Sequence, residues 1–187
     1  MSTFHSEALA KHGRAAFSSG NPRIDSYFRQ TVLQDVKRGY AACYALVETA
    51  SRRVAGFYTL SSHSIPLTGL PEDVARKLPR YPSIPAVLIG WLGRDLQFQG
   101  QHVGALLLAD AINRLAAAPV GIHAICADAI DDAAADFFRA HQFQAFASRA
   151  NGFYLPLNTA LSLVAMSAAP QAPALSAPLG TTRTKHS

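Results

Sequence analysis

The sequence predicts an α/β domain built on a central mixed sheet flanked by helices, and three observations carry that prediction. Residues 86–95, AVLIGWLGRD, form a nearly continuous apolar run, as a strand buried on both faces does. Beyond a short polar loop, Val103, Leu107, Ala111 and Leu115 recur at i, i+4 with Leu108 and Ile112 beside them. That is one face of a helix. The stretch GIHAICAD (121–128) then reads as a second buried strand, so strand, crossover helix and strand make a parallel pair. Upstream, AACYALVE and RVAGFYTL are rich in β-branched and aromatic residues and are separated only by a turn around Thr49–Arg52. They predict an antiparallel hairpin, which makes the sheet mixed.

The remaining elements follow in order. Ile24, Tyr27, Phe28, Val32, Leu33 and Val36 have helical spacing over Ile24–Arg38, with Asn21 and Pro22 as a start signal. Pro66, Pro71, Pro79, Pro82 and Pro85 predict a rigid connection with one short helix at Glu72–Leu78 and no strand, because proline cannot donate to a ladder. Gln99–Gly104 is a loop, and the helix after it runs to about Ala117. Asp131–Ala140 reads as a helix, and Phe143–Phe146 and Gly152–Leu157 as two closing strands. The domain is expected to occupy residues 1–160. Residues 161–187, rich in Ala, Pro and Ser from about Ser167, are expected to form a disordered tail. There is no internal repeat.

Composition excludes several classes. At 187 residues the chain can bury a core of its own. No apolar run approaches the roughly 20 residues of a membrane span, and the N-terminus MSTFHSEALAKHGRAAF lacks the apolar centre of a secretory signal. The expected compartment is the cytoplasm, with no membrane association. Cys43 and Cys126 fall in predicted strands and read as reduced core thiols. The seven histidines show no metal spacing such as H-E-x-x-H, so no metal site is expected. The net charge of +5 is uneven: residues 1–60 hold eight Lys/Arg against four Asp/Glu. A basic first third suits an anionic partner. No arginine-rich run accompanies it, and a solvated surface is the simpler account.

The junction Leu92-Gly93-Arg94-Asp95-Leu96-Gln97-Phe98-Gln99-Gly100-Gln101-His102-Val103-Gly104-Ala105-Leu106-Leu107 is the most informative segment. Glycines let backbone N–H groups approach a ligand closely, and the first N–H groups of a helix have no internal partner. Together they make an anion site, although a tight strand-to-helix turn uses the same residues. The junction contains neither G-x-x-x-x-G-K-[ST] nor G-x-G-x-x-G, the two glycine motifs of nucleotide and dinucleotide sites.

This segment resembles the acetyl-CoA signature of the GNAT N-acetyltransferases, [Q/R]-x-x-G-x-[G/A], with Gln99 first and Gly104 last. The resemblance covers about residues 15–160 and is closest to the toxin acetyltransferases that act on aminoacyl-tRNA. Its further blocks are Phe17-Ser18-Ser19-Gly20, Ile24-Asp25-Ser26-Tyr27-Phe28, Gly56–Ser61, Gln99–Leu108 (offset by an alanine) and Ala134–Phe143. The resemblance implies a GNAT fold in which the parallel pair splays. The strand around Leu92, Gly93 and Arg94 would then hydrogen-bond the pantetheine arm. The amides of Gln99, Gly100, Gln101, His102, Val103, Gly104 and Ala105 would take the pyrophosphate, and Phe137 would contact the cofactor. The thioester would lie in the crevice at the carboxyl ends of the parallel strands. The implied donor substrate is acetyl-CoA and the implied acceptor the free amine of aminoacyl-tRNA. The implied partners are a ribbon-helix-helix antitoxin and a second copy of the chain. Two other readings stay open: a degenerate acyl-CoA-binding domain without catalysis, and an acetyltransferase of small amines or protein N-termini.

Three positions depart from the family pattern. His102 stands at the first signature glycine, where its Cβ would crowd a phosphate or its protonated ring would add a charge contact. Phe138 stands where the resembling enzymes carry the tyrosine thought to protonate the departing thiolate, and phenylalanine has no proton to give. It implies a slow or inactive form with binding intact; natural variation and deliberate inactivation would each account for it. Gln142 replaces the glycine of a Gly-Phe turn, where a left-handed backbone is costly for glutamine. Tyr58, Tyr154 and His141 are weaker candidates for a substitute proton donor, and His63 for the lining of the acceptor cleft.

Overall fold

The strand–helix–strand unit read from the sequence lies at the centre of the structure. The computed structural model describes residues 3–168. Strand β1 is Phe4–Ala8. Helices α1 (Pro22–Ser26) and α2 (Val32–Lys37) are joined without a break by a π-helical segment, Tyr27–Thr31. Strands β2 (Ala42–Glu48) and β3 (Val54–Pro66) form the hairpin, and a 3-10 turn at Leu67–Gly69 and helix α3 (Glu72–Ala75) lead to β4 (Ser83–Arg94). A 3-10 turn at Leu96–Phe98 precedes α4 (Val103–Ala116) and β5 (Ala124–Asp128). Then come α5 (Asp132–Ala140), β6 (Gln144–Ala145), β7 (Gly152–Pro156) and α6 (Leu157–Ala168).

Among the described residues, seven strands make a sheet of order β1-β2-β3-β4-β5-β7-β6. Only β4 and β5 run parallel, and the other neighbours are antiparallel. This is the mixed sheet with a parallel pair that the sequence predicts. Helices α4, α5 and α6 cover one face, where Val87, Ile89 and Leu92 of β4 pack. The α1–α2 segment and α3 cover the other, packing on Phe57, Ile84 and Ala86. The predicted stripe of α4 (Val103, Leu107, Leu108, Ala111, Ile112, Leu115) is wholly buried. Each of the valine, leucine and isoleucine side chains contributes about 1.5–3 kcal/mol. Gly56 makes the close seating of α4 possible, since a Cβ there would lie 2.7 Å from Leu107 and 2.9 Å from Val103.

Several expectations need correction. Strand β1 was not foreseen. Its residues pair with β2, from Phe4 opposite Glu48 to Ala8 opposite Tyr44, and that non-local pairing leaves no periodic mark. Pro66 ends β3 and Pro85 lies inside β4, so the proline-rich connection is shorter than predicted. Pro85 is tolerated because its carbonyl, and hence its missing N–H, points to the β5 side just before pairing with β5 begins; the carbonyl accepts from His123 N at 2.9 Å. The helix expected over Glu72–Leu78 stops at Ala75, with tight turns to Leu78 ahead of Pro79. The strand expected from Gly121 starts at Ala124. The boundary expected at residue 160 falls inside α6, where Ala160 is fully buried and Leu161, Leu163 and Val164 pack on the core. Residues 169–187 lie outside the described ones. No helix among the described residues is long and apolar enough to cross a membrane.

Candidate active site

Strand β4 has unequal edges. Along β3 it is paired from Pro66 opposite Ser83 to Gly56 opposite Arg94, whereas β5 meets it only from Ala86 opposite Ala124 to Ile89 opposite Ala127. The register with β3 changes by one residue: Leu60 faces Ile89, but Tyr58 faces Leu92. Gly90 and Trp91 therefore share Thr59 as their opposite, which is a β-bulge. The buried Thr59 hydroxyl accepts from Trp91 N at 3.0 Å and fixes it. The bulge bends β4 away from β5, and among the described residues the backbone groups that face that edge from Gly90 onward have no strand partner.

A crevice of about 390 Å³ opens at this point. Gly90, Trp91 and Leu92 form one wall, Asp128 and Ala129 the opposite wall, and Phe137 and Phe138 of α5 close one side. Arg23 and Ile24 of α1 line it from the other face of the sheet. The crevice thus connects both faces of the sheet, with one side open beside α5 and the other beside α1, so two molecules can enter it from opposite sides.

The start of α4 adjoins it. His102 is the residue before the helix and has a left-handed backbone (φ 55, ψ 22) with no side-chain capping bond. The helical ladder starts with Leu106 N donating to His102 O at 3.0 Å. Among the described residues the N–H groups of His102, Val103, Gly104 and Ala105 have no partner. The Val103 side chain is buried in the core, so only its amide can serve a ligand. A Cβ on Gly104 would sit 3.0 Å from the Phe137 ring, so this glycine lets α4 and α5 meet and makes the amides continuous with the crevice. Gly100 has φ 80 and open space around it.

The predicted cofactor residues therefore come together, with different parts to play. Leu92 lines the crevice; Gly93 admits α1, since a Cβ there would lie 2.7 Å from Ile24; Arg94 ends β4 opposite Gly56. Gln99, Gly100 and Gln101 form the exposed turn into α4. The Phe17–Gly20 and Ile24–Phe28 blocks form one unit, in which the Asp25 carboxylate accepts from Ser19 N at 2.7 Å and Ser19 Oγ at 2.6 Å. The buried Asp95 accepts from Ser18 N at 3.1 Å and ties that unit to the junction.

Phe138 lines the crevice and is 5% exposed, packed among Phe137, Phe143 and Phe153 with ring centroids 5.2–6.0 Å away. The substitute proton donors point elsewhere. Tyr58 OH donates to Asp110 at 2.5 Å, Tyr154 OH donates to Gln144 at 2.9 Å, and His141 Nδ1 lies 2.8 Å from the Phe137 carbonyl. Burial, reinforced by Asp110, raises Tyr58 far above the usual phenol range, and burial also raises Tyr154. Burial pushes the Cys43 and Cys126 thiols up to about 12, so neither is a nucleophile at neutral pH. Gln142 has φ 64, the left-handed backbone expected of it. His63 lies within β3 and lines a separate hollow with Phe146 and Arg149. Sequence reasoning missed Arg23, Ile24 and Trp91 as crevice residues, although Trp91 is the one tryptophan of the chain.

No model of a known family matches the chain. It is 32% identical over 163 residues to a Sinorhizobium fredii protein named "Probable toxin TacT", covering 82% of this chain and 90% of that one. It is 36% identical over 131 residues to a tRNA-acetylating toxin of Mycobacterium tuberculosis, covering 69% and 76% respectively. A crystal structure of a tyrosine-to-phenylalanine mutant of KacT matches with a TM-score of 0.79 and 25% identity over 87% of this chain and 99% of that one. AtaT complexed with acetyl-methionyl-tRNAfMet matches with a TM-score of 0.77 and 26% identity, over 86% and 98%. A tyrosine-to-phenylalanine mutant of AtaT, bound to the C-terminus of the antitoxin AtaR and to acetyl-CoA, matches at 0.72 and 25%, over 87% and 98%.

Proposed function

The chain belongs to the GNAT-type toxin acetyltransferases of toxin–antitoxin systems, and from that premise we propose that it moves an acetyl group from acetyl-CoA to the free α-amine of an aminoacyl-tRNA. The observation that carries this reading is the parting of β4 from β5 at Gly90 beside the unpaired amides that open α4. An extended pantetheine arm can pair with the free edge of β4 at Leu92, Gly93 and Arg94. The amides from Gln99 to Ala105 offer N–H groups and the positive end of a helix dipole to a pyrophosphate, and Phe137 holds that end against α5. His102 contributes its amide; its left-handed backbone is the conformation a glycine would adopt there.

The chemistry asks little of side chains. A neutral amine attacks the thioester carbonyl, the carbon–sulfur bond breaks, and the amine's surplus proton passes to water. An α-amino group of ordinary pKa about 7.7–8.0 is substantially neutral near pH 7.5. Positioning the two reactants is worth far more than the ~10²–10⁴-fold of a general acid, and a thiol of pKa about 8.5 is a fair leaving group. Phe138 removes the acid and leaves the rest, so we read this form as a slow acetyltransferase. Phe138 also favours a second reading, an acyl-CoA-binding domain without turnover.

AtaT bound to AtaR and AtaT bound to acetyl-methionyl-tRNAfMet support an antitoxin and a charged tRNA as partners, and a cytoplasmic location follows from that substrate. The test is incubation of the parent and Phe138→Tyr proteins with acetyl-CoA and charged tRNA, followed by mass spectrometry of the digested 3′ ends. N-acetylaminoacyl-adenosine is expected, more with the tyrosine form. A tyrosine form that binds coenzyme A yet acetylates neither charged tRNA nor any small amine or peptide N-terminus offered to it establishes the second reading.

A further inference from the structure

The π-helical segment Tyr27–Thr31 begins at the residue that supports the crevice's only indole. Single-turn π segments inside helices are frequent at functional sites. The Tyr27 ring lies parallel to Trp91, with centroids 4.2 Å apart and planes 9° apart. Its hydroxyl donates to Asp35 at 3.0 Å, which holds the ring in place. Trp91 itself sits in the β4 bulge with its amide bound to Thr59, so its backbone is fixed and the Tyr27 ring supports one face of its indole. The indole is only partly buried: it lines both the crevice and an adjoining open hollow of about 440 Å³ that Tyr27 and Arg23 share. Arg23 is exposed, and its guanidinium has no acidic partner among the described residues.

A rigid aromatic surface with a free guanidinium beside it, at the acceptor-side mouth, matches one chemistry: a nucleotide. Bases stack on aromatic rings with little sequence demand, and arginine meets the phosphate that follows. An amine in the crevice is joined through its ester to the terminal ribose and adenine, which must lie outward from the reacting atoms. We propose that Trp91, backed by Tyr27, stacks on the 3′-terminal adenine of the charged tRNA, with Arg23 on the neighbouring phosphate. This rests on the aminoacyl-tRNA reading above and assigns Trp91 as a positioning residue.

As the single tryptophan of the chain, Trp91 reports on itself. With coenzyme A bound, the parent protein would be titrated with one tRNA in three forms: carrying amide-linked leucine, carrying amide-linked glycine, and lacking its terminal adenosine. Equal quenching of Trp91 emission by the two charged forms at saturation, and none by the trimmed form, is expected. Trp91→Leu should weaken charged-tRNA binding about 5- to 150-fold and Trp91→Phe much less, both keeping the parent's coenzyme A affinity as the check on folding. Quenching by the trimmed form, or quenching that needs the leucine side chain, overturns the stacking. Binding of charged tRNA without any change in emission overturns this inference alone. Failure to bind charged tRNA while coenzyme A still binds overturns the proposed acceptor and this inference together.

Discussion

The two halves of α4 have opposite characters. In its C-terminal half, Asp110 accepts hydrogen bonds from Ser6 Oγ (2.6 Å), Tyr58 OH (2.5 Å) and Arg114 Nε (2.9 Å), and Arg114 lies 3.9 Å over the Tyr44 ring. The carboxylate thus fastens the helix to β1 and β3, and its arginine partner fastens it to β2. In the N-terminal half, the amides of Val103, Gly104 and Ala105 have no partner among the described residues, and His102 before them is left-handed and uncapped. The difference teaches where the fold can leave polar groups unsatisfied: at the free end of an element anchored at its other end. Stability and ligand binding then reside in different turns of one helix.

The largest effect is expected beside the open end. Phe138→Tyr should raise acetyl transfer to charged tRNA about 10²-fold or more with little change in Tm. An unchanged single-turnover rate would mean that the thiolate leaves without a proton donor.

Next is the anchored end. Asp110→Ala leaves three donors without their shared acceptor and should lower unfolding free energy by about 2–4 kcal/mol, a drop of roughly 5–15 °C in Tm. Coenzyme A affinity, measured by calorimetry well below the transition, should stay within about threefold. An equal loss of stability and affinity would break the comparison. The same carboxylate sets a pH dependence. Burial pushes its pKa up, but the bonds from Ser6 and Tyr58 and the Arg114 guanidinium outweigh burial and hold it below the usual range. A depressed carboxylate stabilises the fold above its unfolded pKa of about 3.9, and that contribution disappears as pH falls below this value. Urea titrations from pH 6 to 3 should show this acid loss in the parent and a flatter profile in Asp110→Asn.

The smallest effect is expected at His102. His102→Gly removes a left-handed non-glycine residue and should add about 1 kcal/mol of stability while retaining coenzyme A binding. If affinity falls tenfold instead, the imidazole itself holds the phosphates.

The anchored and open halves were not equally legible in the sequence. The buried stripe of α4 and the glycines before it are local patterns, and both were readable. The Asp110 network was not, because Ser6 and Tyr58 lie 104 and 52 residues away from their acceptor. The crevice was foreseen only through resemblance, since the bulge at Gly90–Trp91 exists only relative to Thr59 on another strand. The start of α6 was joined to the tail because it runs without a break into the Ala/Pro/Ser-rich stretch, and Leu161, Leu163 and Val164 gained their meaning from the surface they cover. Arg23 and Trp91 carried no motif; their juxtaposition arises from α1 crossing the open end of β4.

The bulge also constrains how such a chain can change by insertion and deletion. Side chains along a strand alternate in parity, and the bulge at Gly90–Trp91 takes up one extra residue in that count. Losing one residue there would restore an uninterrupted ladder with β3. It would leave Leu92 opposite Tyr58 and Gly93 opposite Phe57, on the faces they now occupy, but would remove the bend that parts β4 from β5. A single-codon deletion at this mouth would therefore close the free edge of β4 without turning any side chain over, and would remove the opening while leaving the core faces intact.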